Sequence, residues 1–289
     1  MQKAVYFNTG EKTTGTQSPK SAEFGTTETG RQLYRQWRDS YVEHQPAKAR
    51  QLLDELGVID ADGDGVRELP NGKKLELRLD YSADQSQEHT SKDAQLVADL
   101  EAVGLKMIQN PIPPQTYDDQ WKTGKLMSHT NWEITNTGMS LVEPQWLLPM
   151  EYTRWAPLQG QWYQQLGTRT NTTELDLDPW ERRPPRMEPE KAGPIARLWD
   201  LYDRSKIEPD EMKRIELVHE IEKIHQNEGP FFMGCVANYP QVVVIKNSLR
   251  NVPRKENLAL GGLVNPWGHP TPAVYDPETY FWEDPDNHG

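Results

Sequence analysis

The chain has 289 residues, with 32 Lys and Arg against 44 Asp and Glu, a formal net charge of -12 and 35 % hydrophobic residues. That length suits one large domain or two modest ones, and the negative charge repels phosphate backbones and anionic head groups, which argues against nucleic acid and membrane-surface partners. The single cysteine, Cys235, rules out an intramolecular disulfide or a cysteine-built zinc site, and no stretch approaches the ~18 apolar residues of a membrane-spanning helix.

At the amino terminus, the apolar residues between Met1 and Phe7 soon give way to Thr, Gly and Glu, so no signal peptide is expected. Residues 8–45 are rich in Gly, Thr, Ser and Glu without periodicity, which predicts a long surface excursion. Pro46 opens a helix in which Ala49, Leu52, Leu53 and Leu56 recur at i, i+3, i+4 and i+7, and Gly57 ends it. The acidic run from Asp60 to Arg67 and the pair Asn71 and Gly72 predict turns. Leu75, Leu77, Leu79 and Tyr81 then alternate as a half-buried strand does.

The next helix is expected over about 91–103, where Ala94, Val97, Leu100 and Val103 lie near one face; Gly104 stops it and residues 105–108 form a second strand. Strand, helix and strand in this order make a βαβ unit, hence a parallel pairing with a right-handed crossover. A short helix at about 117–125 and a strand at about 128–134 continue the alternation. From Asn136 to Glu190 the chain is crowded with Pro, Gly, Thr and Trp, and long irregular segments inside compact domains are usually functional or disordered.

Two helices, about 191–205 and 209–226, should pack as a pair, the second opened by Pro209 and carrying Met212, Ile215, Val218 and Ile221. Short strands are expected at 231–237 and 242–245. Cys235 has an apolar flank, which predicts an inert buried thiol.

Among possible sites, Asp60, Asp62, Asp64 and Gly65 resemble the first half of a calcium loop. Its twelfth position is Asn71 rather than a bidentate Glu, so a hydrated acidic turn is expected and no metal or cofactor is assigned. His219 and His225 are six apart on a helix and suit no shared ion. Nucleophile-elbow, phosphate-loop, dinucleotide and His-Glu-x-x-His patterns are missing, which disfavours the common enzyme classes that use them. Six of the ten tryptophans, Trp121, Trp132, Trp146, Trp155, Trp162 and Trp180, fall within 60 residues. They serve either ligand stacking or the core of an aliphatic-poor domain, and both readings stand.

The run from Pro46 to Gly57, the stretch Asp62 to Arg67, and Asn71 to Leu77 together resemble family 5 solute-binding proteins of ABC importers. Leu96 to Lys106, Asn251 to Pro253, and Pro277 to Phe281 are similar to the same family, so the likeness covers most of the chain from about residue 40. What the resemblance implies is an α/β, periplasmic-binding-protein-like lobe II, type II and cluster C-like. Residues 1–230 would be that second lobe, and 231–289 a return segment belonging to lobe I, with the amino-terminal lobe missing. A return segment without its sheet partners would leave an apolar edge near 242–245 open to association.

The implied function is capture of an oligopeptide or similar small solute for delivery to an ABC permease, without catalysis, by a parent that is periplasmic or at the cell surface and monomeric when complete. Peptide-binding members carry an Asp shortly after a tryptophan that pairs with the peptide amine. Here only Trp132 and the pair Glu143 and Pro144 match, so amine recognition does not carry over. The segment Trp155 to Tyr163 resembles branches with neutral ligands, which keeps an oligosaccharide as the alternative. Trp132, Trp146, Trp155 and Trp162 are the candidates for stacking, and Glu143 for a hydrogen bond or charge contact. Two further readings are a glycoside hydrolase, which needs two carboxylates ~5–5.5 or ~6.5–9.5 Å apart, and a non-functional truncated fragment.

Overall fold

The computed structural model describes residues 2–14, 21–128, 144, 147–229, 231, 233–237, 244–254 and 276–286. In chain order the elements are α1 (Gln2–Val5), β1 (Glu11–Lys12), α2 (Ala22–Gly25), α3 (Glu28–Asp39), α4 (Pro46–Glu55), β2 (Glu76–Ser82), α5 (Gln87–Glu101), β3 (Lys106–Ile112) and α6 (Pro114–Lys122). There follow α7 (Pro157–Gln164), α8 (Pro194–Ile207), α9 (Glu211–Glu228), β4 (Val236–Ala237), β5 (Leu249–Arg250) and β6 (Phe281–Trp282). The described residues fall into two compact units, one drawn from 2–9, 41–128 and 151–187, the other from 10–40, 144–150 and 188–286.

The first unit is organised by the expected βαβ motif. β2 and β3 pair in parallel with Leu77 opposite Met107 and Leu79 opposite Gln109, and α5, capped by the Ser86 hydroxyl, packs on β3. Leu79, Val103, Met107 and Ile112 are buried apolar residues of this motif and its flanks. A carboxylate sits among them: Asp80 is fully buried. It accepts from Arg78 Nε at 2.6 Å, Asn110 Nδ2 at 2.7 Å and the Met127 N–H at 2.7 Å. Burial alone would raise its pKa, but these three partners outweigh burial and hold it below the ordinary value. Ser128 continues the lattice, its carbonyl accepting from the Asp80 N–H; the rest of the strand expected at 128–134 lies outside the described residues.

The second unit is a helical core. α8 and α9 pack as the expected pair, and Leu198 on α8, Val218 and Ile221 on α9, and Leu147 and Leu148 are fully buried. Residues 21–40 correct the sequence expectation: in place of a surface excursion they form α2 and α3. Thr27 caps α3 by accepting from the Gly30 N–H at 3.0 Å, and Leu33, Tyr34 and Trp37 are buried. His219 and His225 are both core histidines. The Nε2 of His225 lies 2.7 Å from the Leu147 carbonyl, and burial lowers its pKa to about 4 against that hydrogen bond.

The described carboxy-terminal residues form short pairings. β1 pairs antiparallel with β4, and β5 with β6. Cys235 is exposed rather than buried. β4 is a two-residue strand paired to a two-residue strand, which is too little sheet to cover the thiol, and the apolar flank does not substitute for it. Val244 is 91 % exposed and outside any strand; residues 242 and 243 are not among those described. Among the described residues no helix is long and apolar enough to cross a membrane.

Candidate functional site

The aromatic stretch expected to face a ligand is described from residue 151 onward, inside the first unit. Pro157 sits in the first turn of α7, where its missing N–H costs nothing. Gly160 is required there: a Cβ would stand 2.0 Å from the Glu151 carbonyl oxygen, so the backbone of 151 lies directly on the helix. α7 buries Leu158, Gln161 and Trp162. The carbonyl of Trp162 accepts from Asn171 Nδ2 at 2.9 Å, which ties the following loop to the helix.

Arg186 organises that loop. It is fully buried, and its guanidinium donates to the carbonyls of Thr173 at 2.6 Å, of Pro184 at 2.9 Å and of Thr170. Glu174 faces it at 3.4 Å. The Arg183 N–H and then Arg186 hold the Glu174 carboxyl below its usual pKa, against the small cost of burial. A planar guanidinium with five donors suits this task, because the loop offers carbonyls in several directions and no regular partner strand. The Met187 N–H closes the loop onto the Leu158 carbonyl at 3.0 Å.

Between this loop, α7 and the end of α6 lies a cleft of about 440 Å³, within the range of small-solute sites. Trp180, Tyr152 and the prolines 157, 184 and 185 form its apolar lining, and Gln161, Gln164, Thr123 and Lys122 its polar one. Trp180 is 51 % exposed and so has indole surface to offer. The arrangement can stack on a flat apolar face and hydrogen-bond through neutral amides and a hydroxyl. The ammonium of Lys122 is engaged by Asp118 one turn earlier.

The sequence candidates fall in different places. Trp155 is half-buried in the turn before α7, and Trp162 is buried on α7. Neither lines the cleft. Trp132, Glu143 and Trp146 lie outside the described residues. Among the lining residues, Trp180 belongs to the tryptophan cluster noted in the sequence, whereas Tyr152 and the two glutamines carried no signal: single polar residues in an irregular stretch have no period to betray them.

Residues 1–146 match the family described as bacterial extracellular solute-binding proteins, family 5 middle. Comparison with curated proteins gives no match. Among solved structures the chain is similar to an oligopeptide-binding protein OppA, with 22 % identity and a TM-score of 0.66 over 98 % of this chain and 41 % of that one. It is also similar to a mannohexaose-bound periplasmic oligopeptide-binding protein of an oligopeptide ABC transporter from Thermotoga maritima, with 20 % identity and a TM-score of 0.52 over 89 % and 42 % of the two chains. A third is the oligopeptide-binding protein AppA from Bacillus subtilis in complex with a nonapeptide, with 13 % identity and a TM-score of 0.54 over 98 % and 44 %. The α/β fold is shared with these proteins, and the chain spans less than half the length of each.

Proposed function

The chain belongs to the family 5 bacterial extracellular solute-binding proteins, and from that premise we propose that it serves an ABC importer by capturing an oligopeptide or similar small solute for a membrane permease. The observation that carries this is the family match over residues 1–146, which contain the parallel βαβ unit. In this reading ligand is held by closure of two lobes, and no bond is made or broken. Residues 1–230 act as the second lobe and 231–289 as the segment returning to the first, with β1 as a strand partner that the return segment finds inside this chain. The parent works outside the cytoplasmic membrane, in the periplasm or at the cell surface.

Trp132, Glu143, Trp146 and Trp155 are the proposed ligand-facing residues, while Trp162, a candidate from the sequence, is buried on α7. An oligosaccharide is the second reading. It is favoured by the cleft beside Trp180, whose amide and indole groups suit a neutral hydroxylated ring, and by the mannohexaose held by the similar protein from Thermotoga maritima. Fluorescence titration of the whole chain with a mixed pentapeptide pool, and separately with mannohexaose, tests both. Saturable quenching by peptides supports the first reading and by mannohexaose alone the second. A cooperatively folded chain that responds to neither at millimolar concentration contradicts both.

A further inference from the structure

The turn between α4 and β2 holds more negative charge than a solvated loop requires. One oxygen from each of Asp60, Asp62, Asp64 and Glu68 lies within 4.8 Å of the others. Two oxygens on opposite sides of one calcium ion, each at ~2.3–2.6 Å, are ~4.6–5.2 Å apart, so all four fit a single coordination sphere. The three aspartates are exposed and would by themselves be an ordinary acidic turn. Glu68 is different. It is 93 % buried, being only 7 % exposed, and its Oε1 has no hydrogen-bond partner, while Oε2 accepts from the Ala61 N–H at 2.8 Å.

The adjacent buried cation does not answer that charge. Arg67 spends its guanidinium on Asp54 at 2.6 Å and on the carbonyls of Val58 and Val103. Among the described residues the ammonium paired with the cluster is that of Lys74, which lies against Asp64 and 3.6 Å from Asp62 and is not paired with Glu68. A carboxylate kept from water, with one oxygen within 4.8 Å of those of three other acids and its Oε1 without a hydrogen-bond donor, is a costly arrangement unless a cation completes it.

We propose that Asp60, Asp62, Asp64 and Glu68 form a calcium site. The donors are all oxygen, which selects a hard cation, and they stand on a loop, which suits the tolerant geometry of calcium better than the strict octahedron of magnesium. Counting Asp60 as position one, the carboxylates occupy positions one, three, five and nine of a calcium loop, and Gly65 takes position six with φ +90°. The missing acid at position twelve is therefore replaced by a buried one at position nine. Two antiparallel bridges, of Glu68 with Ile59 and with Lys74, fix that residue relative to the turn. The role is distinct from solute capture, since none of these residues lines the cleft.

The test is calorimetric titration of CaCl2 into the whole chain, stripped with a chelator and held in 0.15 M NaCl, alongside thermal melts. The expected result is one calcium per chain with Kd ~10⁻⁴–10⁻³ M, as in extracellular modules, and a melting temperature that rises with CaCl2 more than with equal MgCl2. Asp62→Asn, at a side chain 57 % exposed, should leave the metal-free melt unchanged and weaken binding at least ~10-fold. Glu68→Gln should do the same to binding, and Lys74→Met, which removes the competing ammonium, should tighten it. No saturable heat up to ~10 mM CaCl2, tenfold above the expected Kd range, overturns the proposal. So does binding that survives both acid substitutions, or an equal response to magnesium, either of which marks diffuse screening of the -12 net charge.

Discussion

Glu222 and His225 lie one turn apart on α9, both without solvent, and burial acts on them in opposite senses. Desolvation, helped by the charge of Glu23, raises the Glu222 carboxyl well above its ordinary 4.5, while desolvation lowers His225 to about 4. The linkage signs oppose each other. Below pH 6.5 the unfolded chain protonates its histidine and the native one does not, so the His225 contribution falls as pH drops toward 4. Above pH 4.5 the unfolded chain releases the glutamate proton and the native one keeps it, so the Glu222 contribution falls as pH rises. The wild-type urea midpoint should therefore change little between pH 4.5 and 6.5. In Glu222→Gln the opposing glutamate is gone, and the His225 contribution should climb by roughly 3 kcal/mol from pH 4 to 7. Unfolding titrations at several pH values check this; a variant as flat as the wild type would refute it. Arg186 gives a second prediction at this scale. Arg186→Met keeps the stem but strips three carbonyls of their donor, which should cost about 3 kcal/mol and open 168–187 to limited proteolysis.

Elements differ in how far the sequence announces them. α4 and the β2, α5, β3 unit were legible because their apolar residues keep one period, and glycines at 57 and 104 end the helices with φ of +71° and +85°. α3 was missed although it buries three large residues. Its opening through Thr27 and Gly30 reads as loop composition, and the apolar stripe of Leu33, Tyr34 and Trp37 is short. Since the Thr27 hydroxyl serves as its N-cap, Thr27→Ala should lower stability by about 1 kcal/mol, and Thr27→Ser should restore it. A neutral result would mean that packing alone holds the helix. The cleft was less legible still. Its walls are positioned by Arg186, by the Asn171 amide and by the contact of Gly160 with Glu151, all of them long-range polar or steric facts without periodicity. The burial of Glu68 was hidden for the same reason: the sequence displays the acidic turn but not which carboxylate it encloses.

At the scale of the molecule, two units are woven from interleaved stretches of one chain, as the return of 188–286 to the side of 10–40 requires. The parallel βαβ unit and the match over residues 1–146 agree with membership of the family 5 solute-binding proteins. The central claim is that the chain takes up a solute and leaves it unchanged. The most direct test is to incubate the purified chain with equimolar pentapeptides and mannohexaose, separate bound from free, and weigh the bound ligand by mass spectrometry. Retention of an intact peptide or oligosaccharide in stoichiometric amount is the predicted result. Shortened products, or a folded chain that retains nothing, would contradict it.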